Sequence, residues 1–135
     1  MIVPSSMSEE DIKLCGSFRS KKRIPSMTYY HKATKCSIWR CSQPLSGMFN
    51  RIEQGDVKML NEIAKLAAGG QNAGITIFDA RPKTSASGNR VKGGGFEDER
   101  YYENCNVHFC GIRNIHAVRN SHDAIRLMCA SPDLF

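Results

Sequence analysis

The chain has 135 residues, 41% hydrophobic and 24% charged, with 11 Gly, 5 Pro and 6 Cys, which is the make-up of one globular domain with room for one core and excludes a disordered or fibrous protein. No window approaches the roughly 18 consecutive apolar residues of a membrane-spanning helix, and the start lacks the basic-then-apolar pattern of a secretory leader. The formal charge of +6 is concentrated: residues 12 to 52 hold nine Lys or Arg and no Asp or Glu. Such a patch suits an anionic partner, either phosphate headgroups at a membrane surface or nucleic acid, and a solvated basic face is the alternative. The cysteines read as reduced thiols, because a chain with this much apolar residue does not need disulfide staples and carries no Asn-x-Ser/Thr acceptor.

Ser8 is a suitable N-cap, followed by Glu9, Glu10 and Asp11 in the first helical turn, and Gly16 is expected to close a helix of about eight residues. Residues Ile24 to Tyr30 are rich in strand formers. Lys35 to Cys41 reads as a second strand with Cys36, Ile38 and Arg40 on one face, and Gln43 to Gly47 reads as a turn. From Glu53 to Ala68 the spacing of Val57, Leu60, Ile63, Ala64 and Ala67 predicts an amphipathic helix lying on a sheet, stopped by Gly69 and Gly70.

Ile75 to Phe78 is a short apolar run expected to form a buried strand. Asp79 to Phe96 is then a long loop rich in Gly, Ser, Lys and Arg. Asn106 to Cys110 reads as another strand, feeding a helix opened by Asn114, with Ile115, Val118, His122, Ile125 and Cys129 on one stripe. The alternation of strands and helices argues for an α/β sheet flanked by helices, whose ligand sites gather in the loops beyond the strand ends, here 79 to 96 and 111 to 114.

Several chemistries are tested and set aside. The Cys36/Cys41 and Cys105/Cys110 pairs invite a zinc site, but thiols five positions apart on a strand point to opposite faces. Gly88 to Gly93 has the glycine separation of a phosphate-binding loop, yet Gly94 and Gly95 stand where a nucleotide-binding loop needs Lys and Ser/Thr, so it reads as a flexible cationic loop that could still approach a phosphate. No Gly-x-Ser-x-Gly turn occurs, and His122 on an apolar stripe reads as a core histidine. A cysteine-dependent phosphatase needs a thiolate at a helix N-terminus with an Arg six positions further on. The residues at that position after Cys15, Cys36, Cys41, Cys105, Cys110 and Cys129 are Lys21, Ser42, Gly47, Gly111, His116 and Phe135. None is Arg.

Phe18-Arg19-Ser20-Lys21-Lys22-Arg23-Ile24-Pro25, Arg40-Cys41-Ser42-Gln43-Pro44-Leu45, Phe78-Asp79-Ala80-Arg81-Pro82, Lys92-Gly93-Gly94-Gly95-Phe96-Glu97 and Asn114-Ile115-His116 together resemble the myotubularin family in order and spacing. The similarity runs from about Ile2, including Val3-Pro4, to about Leu127. It implies a partial α/β domain like that of the cysteine-based tyrosine phosphatases, from an enzyme removing the 3-phosphate of phosphatidylinositol 3-phosphate and phosphatidylinositol 3,5-bisphosphate without a metal or other cofactor. The family's catalytic loop, His-Cys-Ser-Asp-Gly-Trp-Asp-Arg, is not among these residues, so no catalytic residue is assigned and an inactive chain is expected.

By position in the family pattern, the resemblance implies that Asn89, Asn114 and Ile115 contact the inositol headgroup. It also implies a cytoplasmic protein, peripheral at endosomal membranes, with a non-catalytic role beside a family member or a second copy as the alternative. The resemblance further implies a start inside a folded region, no pleckstrin-like module and a divergent tail over 128 to 135, as in a truncated gene model, a pseudogene product or a short splice form. Nucleic-acid binding through residues 12 to 52 is disfavoured, since stacking aromatics are not interleaved with the charges.

Overall fold

The computed structural model describes residues 1–67 and 74–130. Along the chain these form helix α1 (Glu9–Phe18), strands β1 (Ser26–His31) and β2 (Cys36–Arg40), helix α2 (Gln54–Ala67), strand β3 (Ile75–Asp79), a short helix α3 (Lys83–Gly88), strand β4 (Cys105–Phe109) and helix α4 (Ile115–Ala130). Short 3-10 turns follow α1 at Ser20–Lys22 and α3 at Asn89–Lys92. The architecture is mixed α/β, with two separate two-stranded sheets flanked by helices instead of one continuous sheet. The β1–β2 pair is an antiparallel hairpin with an irregularity between Met27 and Tyr29. Strands β3 and β4 run parallel, Ile77 opposite Val107, joined by a crossover that contains α3.

Helix α1 begins as the sequence predicts. Ser8 Oγ accepts from Asp11 N at 3.1 Å and the Asp11 carboxylate accepts from Ser8 N at 3.0 Å, a reciprocal capping box. Gly16 does not end the helix: it lies inside α1, and the chain leaves helical geometry only at Arg19. The reason is tertiary, because Phe18 and Arg19 are both buried and hold the last turn in place. Helix α2 contributes Met59, Leu60 and Ile63 to one core cluster with Cys15 and Ile24, and Ile75 and Ile77 of β3 pack against that cluster, so α2 does lie on a sheet while also pairing with α1. Gly55 sets how closely the two helices approach, since a Cβ there would lie 2.8 Å from both the Asp11 carbonyl oxygen and Leu14 Cβ. Gly69 and Gly70, read as the stop for α2, lie outside the described residues.

Three further expectations are corrected. Strand β3 is buried on one face alone: Ile75 and Ile77 turn inward, whereas Thr76 and Phe78 are exposed, Phe78 at 70%. The segment 79 to 96 is not one loop, since α3 and the turn after it occupy its middle. His122 is not a core residue; its side chain is 73% exposed, and the whole stripe of α4, including Ile115, Val118 and Ile125, faces outward. Periodicity identified that stripe correctly as a face but could not supply something for it to pack against.

The core is polar at its centre. Arg19, with no exposed side-chain surface, donates from Nε to Asp56 Oδ1 at 2.6 Å and from Nη2 to Asp56 Oδ2 at 2.7 Å. Its Nη1 donates to Glu97 Oε1 at 2.5 Å and to the Ser42 carbonyl at 2.9 Å. Asp56 also accepts from Tyr102 Oη at 2.8 Å and from Cys15 Sγ at 3.1 Å. Removing one partner from such a cluster leaves an uncompensated buried charge, which costs about 3–5 kcal/mol. Arg19→Leu is therefore expected to lower the midpoint of urea unfolding by that equivalent or to abolish the cooperative transition; an unchanged midpoint would contradict the central role of this cluster.

A second expectation concerns acid. Lys58 Nζ donates to Asp11 Oδ2 at 2.6 Å, and this contact, with the Ser8 hydrogen bonds, lowers the Asp11 carboxyl from 3.8 to about 2. A carboxylate more acidic in the folded than in the unfolded chain contributes stability that is present above the unfolded value and fades as pH falls through the folded one. Asp11→Asn should flatten the pH dependence of stability between those two values, read from thermal midpoints across that window, with little change of slope near neutrality.

Candidate functional site

Beyond the carboxyl ends of β2 and β3 lies an open groove of about 450 Å³, lined by Arg40 to Gln43, Ile77 to Arg81, Asn89 and Glu97. Its residues come from elements whose ends converge there. Arg40 closes β2 and is exposed, and Asp79 closes β3. Asn89 is half-buried where α3 passes into its 3-10 turn, with its backbone carbonyl accepting from Gly94 N at 3.0 Å. A helix C-cap, not a mobile loop, thus carries the predicted Asn89.

Arg81 organises the groove. Its Nη2 donates to Asp79 Oδ2 at 2.6 Å and to the Gly95 carbonyl at 2.8 Å, its Nε donates to Asp79 Oδ1 at 2.9 Å, and its Nη1 donates to Gln43 Oε1 at 2.5 Å. Burial works to raise the Asp79 carboxyl, but the Arg81 hydrogen bonds outweigh it and leave the group below its ordinary value. Gln43 Oε1 also receives Asn89 Nδ2 at 3.5 Å. Glu97, the other carboxylate of the lining, is taken up by Arg19, whereas Arg40 has no ion pair among the described residues.

The thiols fall into two environments. Burial, and then the Asp56 charge, push Cys15 far up, and burial with the Glu97 charge pushes Cys105 to about 12. Cys41 is exposed as a residue, yet its sulfur turns to within 3.6 Å of Arg19 Nη1, and desolvation raises it despite that cation. Cys36, Cys110 and Cys129 are exposed. The members of each paired spacing accordingly sit in different surroundings, and no group of three metal-binding side chains occurs among the described residues.

Of the predicted contacts, Asn89 lines the groove and Asn114 and Ile115 do not. Asn114 caps α4, its Oδ1 accepting from His116 N at 3.1 Å and Ala117 N at 3.2 Å, and Ile115 is 67% exposed. The segment before them is tied to the groove wall, with Cys110 N donating to the Asp79 carbonyl and Ile112 N to that of Ala80, both at 2.8 Å. Gln43, Arg81 and Arg19 were not singled out by residue-level reasoning. The signal that could have found them is that Arg19, Gln43, Arg81 and Glu97 each sit inside a separate one of the short motifs quoted above, and those four motifs meet around this groove.

The family model for the myotubularin-like phosphatase domain matches residues 1–133. Myotubularin of Xenopus laevis is 42% identical over 121 residues, 90% of this chain and 20% of that protein. Phosphatidylinositol-3,5-bisphosphate 3-phosphatase MTMR2 of Bos taurus is 40% identical and that of Mus musculus 39%, each over 90% of this chain and 18% of the relative. The chain thus spans a minor part of the length of the curated relatives it matches, and with nearly all of its own length matched it belongs to the family of the myotubularin-like phosphatase domain.

Proposed function

We propose that this chain carries the headgroup-facing part of a phosphoinositide 3-phosphatase site, of the kind acting on phosphatidylinositol 3-phosphate and phosphatidylinositol 3,5-bisphosphate, and that it does not turn over phosphate by itself. The observation that carries the reading is the groove in which Arg40, Arg81, Gln43 and Asn89 converge at strand ends, where a phosphorylated ring finds cations and amides together. The similarity to the phosphatidylinositol-3,5-bisphosphate 3-phosphatase MTMR2 supports the substrate class. Asn114 and Ile115, reached through the tied segment 110 to 112, form the second part of the headgroup site in this proposal.

Inactivity follows from chemistry. Phosphoryl transfer through cysteine needs a thiolate nucleophile and a guanidinium clamp on the same phosphoryl group. The buried thiols are pushed up, away from the thiolate form, and none of the six cysteines has Arg at the sixth following position. The place of action we propose is the cytoplasmic face of endosomal membranes, as a peripheral protein. No helix among the described residues is long and apolar enough to cross a membrane.

A second reading, a non-catalytic binding or partner protein, is favoured by the exposed apolar side chains of β3 and α4, among them Phe78 at 70% and Leu127 at 68%. In that reading the groove still binds headgroups, and a family member or a second copy covers the apolar faces.

Vesicles of phosphatidylcholine with and without phosphatidylinositol 3-phosphate separate these parts. The purified chain is expected to sediment with the phosphoinositide vesicles, to lose about tenfold in affinity on Arg81→Ala, and to release no phosphate above a protein-free blank. Phosphate release would overturn the inactive reading, and equal sedimentation with both vesicles would overturn the headgroup reading. In the same preparation a thiol reagent at neutral pH should modify Cys36, Cys110 and Cys129 readily while Cys15 and Cys105 react only on unfolding, as mass mapping will show. Rapid modification of a buried thiol would mean an activated nucleophile exists after all.

A further inference from the structure

The turn between Ser46 and Arg51 carries the most exposed large apolar side chain among the described residues. Phe49 is 93% exposed and its neighbour Met48 67%. The turn is closed at its base, where Arg51 N donates to the Ser46 carbonyl at 2.8 Å and Arg51 Nη2 to the Leu45 carbonyl at 3.3 Å. Gly47 at φ +60° and Asn50 at φ +48° supply the left-handed positions on either side of the apex, and both residue types adopt that conformation readily. Pro44 and Ser46, both buried, root the turn in the body of the molecule.

The apex stands beside a second exposed element. Gly47 N donates to the Gly94 carbonyl at 2.9 Å and Gly94 N to the Asn89 carbonyl at 3.0 Å. The turn is thereby tied to the 3-10 turn Asn89–Lys92 at the groove wall, where Val91 is 74% exposed. Arg51 and Lys92 are exposed beside these apolar side chains and form no ion pair among the described residues.

We infer that Met48 and Phe49 form a wedge that inserts between the lipids of an anionic bilayer, with Arg51 and Lys92 resting on its headgroups, an inference that rests on the headgroup reading above for the side of the molecule that meets lipid. Two observations choose a bilayer over a protein partner. The apex is two side chains wide, and since an aromatic ring buries about 150–250 Å², the pair falls well short of the roughly 800 Å² per partner of a stable protein interface. Its flanks are cationic, and the run of residues 12 to 52 that contains it has no Asp or Glu, which complements an anionic surface. A bilayer takes an apolar apex at its headgroup boundary without needing a matching pocket. Because the closed turn fixes the apex before contact, little ordering entropy is lost on insertion. Insertion next to Asn89 holds the groove at headgroup depth, so the wedge prolongs residence on the membrane without touching the headgroup.

The test puts a fluorophore at the apex. In the full chain with its single tryptophan removed, Trp39→Phe, Phe49→Trp should emit further to the blue, and be quenched by brominated acyl chains, on vesicles of phosphatidylcholine and phosphatidylserine with phosphatidylinositol 3-phosphate. In the otherwise unaltered chain, Phe49→Ala should weaken vesicle binding about tenfold, the transfer of a partly buried ring, and leave binding of soluble inositol 1,3-bisphosphate within about twofold. Lys92→Gln should weaken vesicle binding about fivefold at low salt and far less at high salt. Emission unmoved by vesicles that sediment the chain, or equal vesicle affinity for Phe49→Ala and the unaltered chain, overturns the wedge while the headgroup reading stands. Emission that moves to the blue with protein concentration alone means that a second copy covers the apex, and also overturns it. Equal sedimentation and quenching without phosphatidylinositol 3-phosphate keeps the wedge and overturns the headgroup reading; no sedimentation with any of these vesicles overturns both.

Discussion

The structure depends on one guanidinium placed where water cannot reach it. Taking an ion of this size out of water costs several kcal/mol unless geometry and hydrogen bonds compensate, and Arg19 meets that demand by spreading its donors over Asp56, Glu97 and the Ser42 carbonyl. Burial opposes its charged form, and the two carboxylates more than restore it, holding the group well above its ordinary value. Asp56 is in turn saturated by Tyr102 and Cys15. The end of α1, the start of α2, the chain after β2 and the segment 97 to 102 are thereby fixed to one point. The end of α1 and the chain after β2 are also tied by one antiparallel bridge, Arg19 opposite Pro44, but no sheet joins all four segments, so the cluster supplies tertiary definition that strand pairing does not.

That fixed point also sets the groove. Ser42 and Gln43 are consecutive, and the first accepts from Arg19 while the second accepts from Arg81. Glu97 answers Arg19, and two residues before it the Gly95 carbonyl answers Arg81. The two arginines therefore clamp the same pair of segments from the core side and from the groove side. A change in the buried cluster moves Gln43 and Gly95 together, which couples stability to the shape of the site through covalent neighbours and not through a long chain of contacts.

Local chemistry made much of this legible in advance. The cap at Ser8, the apolar spacing of α2, the strand at Ile75 and the cap at Asn114 are each decided within a few residues, and each formed close to where its pattern placed it. What stayed hidden is long-range. Arg19 and Glu97 are 78 positions apart and Arg81 and Gln43 38 apart, and no periodicity links them. Gly16 reads as a helix stop in isolation and is overruled by the burial of Phe18 and Arg19. Helix α3, Lys83–Gly88, has no side-chain cap and no apolar stripe, so its pattern is that of a loop and only packing, with Ala86 buried, makes it a helix. Resemblance to a family pointed to Asn89, which lines the groove, where spacing alone gave only a cationic loop.

The charge run that dominates the sequence does not by itself explain recognition. One of its nine cations, Arg19, is consumed by the core, and Asp79 already answers the groove's Arg81, which lies beyond the run. The groove thus pairs Arg40 and Arg81 with Asp79 and Glu97, a lining whose formal charges cancel. An anion arriving there competes with Asp79 for Arg81, so a phosphate group alone gains little over its own hydration. In the reading proposed above, net attraction comes from a ligand that adds directional hydrogen bonds to the Coulomb term, and the half-buried Asn89 amide at the groove wall is placed to make them. In that reading the basic surface of residues 12 to 52 contributes long-range approach to an anionic membrane, and the groove's geometry, not its net charge, sets what is held there.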